Sequence, residues 1–239
     1  MSQAWLACAA FASLSGAFLT GCSHHQVVQG EPIRESRSIE PGGAESARVE
    51  VDLGAGELRV LPGTTKLLDG DFRYDGPAMK PELSYNVAAG RGYLVLRQPS
   101  LLKGGLHGAN ESVWELRLND RLPTELRIKV GAGKGTLKLA GLALTRLDVE
   151  MGAGEMDLDL NGKWEKDLDA QLNGGVGELV VHLPRDIGVR VKATGGLGEI
   201  KAEGLRRSSD HWVNDEYGKS TVDLRLDVRG GIGTIRLIG

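Results

Sequence analysis

One glycine-rich motif recurs six times along the chain, and it constrains the fold more than any other feature. The copies are VDLGAGELRV (51–60), IKVGAGKGTLKL (128–139), VEMGAGEMDLDL (149–160), AQLNGGVGELVVHL (170–183), VKATGGLGEIKA (191–202) and LDVRGGIGTIRL (226–237). Their last glycines are Gly56, Gly135, Gly154, Gly177, Gly198 and Gly233, and from Gly135 onward the spacings are 19, 23, 21 and 35 residues. About twenty residues make one unit, and the last interval holds an insertion. Self-similarity at a steady period is the mark of a stacked-repeat architecture.

Each unit alternates apolar and polar residues on both sides of its glycines. Before them stand Leu53, Val130, Met151, Leu172, Ala193 and Val228. After them stand Leu58, Leu137, Met156, Leu179, Ile200 and Ile235, and two residues further Val60, Leu139, Leu158, Val181, Ala202 and Leu237. A period of two reads as two β-strands per unit sharing one interior. The glycines lie between them, where positive φ or close backbone approach excludes a Cβ. Such a unit cannot bury its own apolar face, so neighbours must stack. The expectation is an all-β, solenoid-like stack of two-strand repeats, with a β-sandwich as the alternative. If units stack in chain order, Thr136, Glu155, Glu178, Glu199 and Thr234 form an outward column in which three carboxylates adjoin.

Composition narrows the partners. Glycine supplies 35 of 239 residues without a G-X-Y triplet, which excludes collagen, and 41% hydrophobic residues exclude global disorder. The formal net charge is −3 and no Lys/Arg cluster stands out, so nucleic acid is excluded as a partner.

The N-terminal residues carry an address. Residues 1–21 hold no charged side chain, and the apolar run from Ala4 to Leu19 is shorter than a bilayer span, as in an export signal. Leu19-Thr20-Gly21-Cys22 resembles the lipobox of bacterial lipoprotein signals. That resemblance implies cleavage before Cys22, acylation of its sulfur and anchoring in the membrane, with a non-lipidated secreted protein as the alternative. Ser23 after the cysteine then favours the periplasmic face of the outer membrane in a cell with two membranes. Cys8 and Cys22 are the only cysteines, so the mature chain is expected to hold no disulfide. Residues 22–47 read as a flexible tether, 48–99 as a β segment carrying the first repeat, 100–112 as a Gly-rich loop and 113–239 as the main repeat domain.

The stretch WELRLNDRLPTELRIKVGAGKGTLKLAGLALTRLDVEMGAGEMDLDLNG (114–162), with the later GGVG, GGLG and GGIG turns, resembles the toast-rack family of bacterial envelope proteins. The likeness extends over roughly 45–239, with 48–98 similar to that family's N-terminal part. It implies a non-catalytic interaction or envelope-stress sensing role, by fold analogy alone.

Other motifs carry less. GAGKGT (131–136) resembles the end of a phosphate-binding loop, but Ile128 stands where its first glycine belongs and Thr136 opens a strand rather than a helix, so no nucleotide is expected. GGVGEL, GGLGEI and GGIGTI resemble a calcium nonapeptide, yet Leu179, Ile200 and Ile235 replace its Asp. His24 and His25 have no nearby co-ligand, so no metal or other cofactor is expected. No nucleophile meets a base: His107 falls in a Gly-rich loop, and His182, Asp148, Asp157 and Asp159 read as solvated strand positions. The insertion RRSSDHWVNDEYGK (206–219) gathers Arg206, Arg207, His211, Trp212 and Tyr217, residue types suited to partner contact or to capping the open end of the stack. The chain is thus expected to be a lipid-anchored envelope module with a protein partner; a glycan-binding module and a cryptic hydrolase are the alternatives.

Overall fold

The computed structural model describes residues 31–99 and 112–239; the leader, Cys22, His24, His25 and His107 lie outside the described residues. The elements are strands β1 (Ile33–Ile39), β2 (Ser46–Thr64), β3 (Leu68–Tyr74), β4 (Glu82–Ala88), β5 (Arg91–Arg97), β6 (Val113–Asn119), β7 (Thr124–Lys138), β8 (Leu144–Asp159), β9 (Leu168–His182), β10 (Gly188–Glu203), β11 (Arg206–Ser208), β12 (His211–Val213) and β13 (Asp223–Ile238). All thirteen belong to one open sheet.

Six long strands, β2, β7, β8, β9, β13 and β10, lie side by side in that order, all parallel. The two runs of each repeat are the outgoing and return arms of a single bent strand. Pairing persists through the bend, with Ala55 opposite Ala132 and Ala132 opposite Ala153. Inward side chains of both arms, such as Leu53 and Val130 before the bend and Leu58 and Leu158 after it, meet in one core where each is fully buried. Each such burial contributes roughly 1.5–3 kcal/mol, so the stack, not the single unit, is the stable object.

At the bend, Gly56, Gly133, Gly154, Gly177, Gly233 and Gly198 stack in register, with φ between +127° and +154°. A Cβ on any of them would overlap a backbone carbonyl oxygen, that of Ser112 at Gly56 and that of the preceding rung's bend glycine at the other five. Gly135, expected in this set, is not part of it. It aligns with Leu58 and Met156 on the return arm, and the Met156 thioether fills the space its missing side chain leaves. By the same shift Leu137 aligns with Val60 and Leu158 rather than with Leu58. The outgoing column also divides. Leu53, Val130 and Met151 share a level with Gly174, Gly230 and Gly195, whereas Leu172, Val228 and Ala193 align with Val51, Ile128 and Val149.

Strand order departs from chain order at the end of the stack. β13 inserts between β9 and β10, so the outward column reads Glu57, Lys134, Glu155, Glu178, Thr234, Glu199. The expected run of three adjacent carboxylates is therefore broken: Thr234 separates Glu178 from Glu199, and Lys134 approaches Glu155 at 3.7 Å.

The expected tether over 22–47 is shorter than its sequence suggested. The alternating IRESRSI forms β1, antiparallel to β3, with Ile33 opposite Tyr74 and Ile39 opposite Leu68. Glu35 there accepts from Arg37 Nε at 2.9 Å and Tyr74 Oη at 3.0 Å. The Arg37 bond, helped by Tyr74 against partial burial, holds its carboxyl down at about 2. At the far end of the same pair of strands, Asp69 accepts from Ser38 and from Thr64 Oγ1, and those bonds also hold its carboxyl at about 2. β6 pairs with the return arm of β2 and β5 with its outgoing arm, so residues 48–99 and the later repeats share one sheet.

Candidate functional site

The outer face of the outgoing arms is a lattice of alternating charge. One level runs Arg48, Glu125, Arg146, Asp169, Arg225, and the next runs Glu50, Arg127, Asp148. Opposite charges directly across a strand pair attract, so the lattice neutralises itself. Arg225 reaches Asp169 at 2.7 Å and Asp167 at 3.1 Å. The Asp169 bond raises the Arg225 guanidinium above its usual range, while a backbone N–H from Asp223 and the nearby Arg225 hold Asp167 below its own. Asp148, expected to be solvated, is only 8% exposed because Arg146 and Arg127 cover it at 3.1 and 3.8 Å. Asp157 and Asp159 stay on the outer face, with His182 Nε2 3.4 Å from Asp157. Among the described residues no group of three or more His, Cys, Asp or Glu is placed to hold a metal.

Against this neutral lattice, the crest of the bend is apolar. The residue between the two bend glycines reads Ala55, Ala132, Ala153, Val176, Ile232, Leu197 across the six strands. Val176 and Ile232 are each 53% exposed and Leu197 is 73% exposed. Three large apolar side chains thus stand on adjacent strands, roughly 4.8 Å apart, with nothing covering them among the described residues. The sequence analysis did not single them out; aligning the position between the glycines reveals the gradient from Ala to Leu. Beneath the crest, Gly174, Gly195 and Gly230 leave an apolar slot of about 30 Å³ beside Met156, Leu179 and Ile235.

The 206–219 insertion lies on the same edge of the sheet but away from the crest, pairing with β10 at Arg190 and Val191, six residues before Leu197. β11 and β12 form a hairpin in which Arg207 faces Trp212 and Ser208 faces His211, and β12 pairs with Arg190 and Val191 of β10. The Arg207 guanidinium lies 5.6 Å from the Trp212 ring centroid, while the half-buried Trp212 packs against the core. His211 faces Arg190 Nη2 through Nε2 at 2.5 Å and Asp210 through Nδ1. Burial works to raise the Asp210 carboxyl, but attraction to His211 and Lys192 outweighs it and holds the group below its usual range. Arg206 is exposed at the start of the hairpin. Tyr217 is not in this group; it lies on the following turn with its backbone against Gly188. The residue that secures the insertion is the buried Asn214, which accepts from Val189 N at 2.9 Å and donates to Ile187 O at 2.7 Å.

Comparisons with known proteins follow from this architecture. No curated protein matches the chain. A solved structure of a cell-adhesion candidate from Clostridium sporogenes is 31% identical, covering 87% of this chain and 99% of that one, with a TM-score of 0.81. An adhesin candidate from Bacteroides fragilis is 12% identical, with 87% and 97% covered and a TM-score of 0.31. A lipid-binding candidate from Parabacteroides distasonis is 8% identical over 87% and 97%, with a TM-score of 0.30. The family model described as the N-terminal domain of toast_rack, DUF2154, matches residues 28–182. With its bent, glycine-laddered strands and that match over more than half its length, the chain belongs to the toast-rack family.

Proposed function

We propose that this protein is a non-catalytic interaction module of the bacterial cell envelope, anchored through acyl chains on Cys22 and acting by protein–protein contact. The apolar crest carries the reading: Val176, Ile232 and Leu197 are exposed beside outgoing arms whose outer face alternates opposite charges. Exposed apolar patches with polar rims mark interaction sites. Apart from the crest, the Arg207–Trp212 pair of the β11–β12 hairpin supplies residue types that dominate binding hot spots. The similarity to the C. sporogenes cell-adhesion candidate supports contact rather than catalysis. A glycan platform finds less support, since Trp114 is fully buried and Trp164 is 8% exposed, leaving Trp212 as the one other tryptophan among the described residues. Sensing of envelope stress would follow from occupancy of the crest that changes with stress.

Two measurements test the reading. Cys22→Ala should move the protein from the membrane to the soluble envelope fraction; continued membrane association would remove the anchor. A photo-crosslinking side chain at position 232 should capture a discrete partner in cells, and one at the exposed Lys163 should not. Equal products from both positions, or none from either, would refute the crest as the contact surface.

A further inference from the structure

The two ends of the stack are finished differently. At the β2 end every arm is covered. β5 pairs with the outgoing arm and β6 with the return arm, and the gap at the bend is closed by the Gln98 side chain and the Ser112 carbonyl. There the Gln98 carboxamide accepts from Ala55 N at 2.8 Å and donates to Ala55 O at 3.2 Å, as a neighbouring strand would, and Ser112 O accepts from Glu57 N at 2.8 Å. At the β10 end, the outgoing arm continues into β12 and β11, but among the described residues no strand adjoins the return arm.

The orientation of that free edge can be read from one bond. Gly239 N donates to Glu203 O at 2.9 Å, so Glu203 faces β13. In a parallel ladder facing alternates residue by residue, so Lys201 and Glu199 also face β13, while Ile200 and Ala202 turn N–H and C=O outward. Their side chains are only half-buried, although Ile235 and Leu237, their partners on β13, are 3% and 0% exposed. Both unpaired backbone groups and incompletely covered core thus coincide on one arm.

We propose that the return arm of β10 is a docking site for an extended segment of another protein, with alternating apolar and basic side chains, that adds to it as a β-strand. The size of the site follows from the hairpin. β12 and β11 extend the outgoing layer by two strands, roughly 10 Å, and Trp212 and Leu205 of that overhang pack against the core. The missing positions beneath this ledge take one or two strands, whereas a second copy of the stack would bring two layers of its own. The charge follows from the outer face: Glu199 and Glu203 present carboxylates there, and Lys201 is engaged with Glu199 at 3.2 Å. Main-chain bonds supply the adhesion, Ile200 and Ala202 select apolar neighbours, and the two carboxylates select basic ones.

The test uses the full chain and a short synthetic peptide of alternating Val and Lys, with a Val and Glu peptide as its charge-reversed control. The Val/Lys peptide should bind saturably and slow hydrogen exchange at the Ile200 and Ala202 amides, and the Val/Glu peptide should bind about tenfold more weakly. Ala202→Pro removes an outward N–H without touching the β13 ladder, which an edge strand tolerates, and should abolish binding. Glu199→Lys keeps the edge and should shift the preference toward the Val/Glu peptide. Unchanged exchange at both amides, binding indifferent to Ala202→Pro and Glu199→Lys, or a dimer that Ala202→Pro dissolves would each overturn the proposal. These readouts concern the β10 edge and not position 232 on the crest, so either inference can fail alone.

Discussion

Gly177→Ala separates the two reasons a residue at the bend must be glycine. Gly177 has φ +133°, and a Cβ there would lie 2.8 Å from the Gly154 carbonyl carbon while overlapping its oxygen. Gly63 has φ +115° with nothing within 4 Å of its virtual Cβ, so Gly63→Ala reports the dihedral alone. Gly152 has no positive φ, but its Cβ would lie 3.2 Å from the Gly131 carbonyl carbon and overlap the oxygen, so Gly152→Ala reports the steric part alone. The dihedral strain is about 1–2 kcal/mol. Relieving the overlap requires moving β9 away from β8 by more than about 1 Å, which lengthens two to four ladder hydrogen bonds worth about 1 kcal/mol each. Gly177→Ala should therefore cost about 3–6 kcal/mol, Gly152→Ala about 2–4, and Gly63→Ala about 1–2. Such a loss is a large part of a typical total stability of about 5–15 kcal/mol. Urea unfolding with matched m-values measures all three. If Gly177→Ala falls within about 0.5 kcal/mol of Gly63→Ala, carbonyl crowding between rungs contributes nothing and the account of the glycine ladder is wrong.

Other substitutions probe the remaining parts. Lys134→Ala should change stability by no more than about 0.5 kcal/mol, because the side chain is exposed and pairs with Glu155 only at 3.7 Å; calorimetry should detect no ATP binding before or after the change. Asn214→Ala should cost about 2–4 kcal/mol in chemical unfolding, since it orphans the Val189 N–H and the Ile187 C=O in a buried site; a cost below 1 kcal/mol would mean the insertion is held by Trp212 packing instead. Glu35 and Asp69 have folded values near 2, below their ordinary 4.5 and 3.8. Their contribution is thus complete above those ordinary values and is lost as pH falls toward 2. Glu35→Gln should flatten the dependence of the urea midpoint on pH between about 4.5 and 2, and an unchanged slope would count against the Glu35–Arg37–Tyr74 bonds.

Local backbone chemistry was legible in the sequence wherever one strand sufficed to express it. Alternation with period two specified the inward residues Leu58, Leu158 and Leu237, and paired glycines specified the bends, because both are properties of a segment and its own side chains. The hairpin residues Arg207, His211 and Trp212 could be picked out as a group for the same reason: they are close in the chain. What the tertiary structure decided is which near-identical repeat lies beside which. Every rung offers the same edge to its neighbours, so nothing local indicates that β13 enters between β9 and β10 and separates Glu178 from Glu199. Nor can a single strand reveal that Met156 fills the space at Gly135, moving the bend to Gly133, since that choice is made by packing across the ladder. Asp148 is buried by guanidiniums from its own and the adjacent rung, and Leu197 is exposed because, among the described residues, no side chain reaches over the crest. Burial of that kind depends on pairing over many residues of chain, which composition and period do not encode.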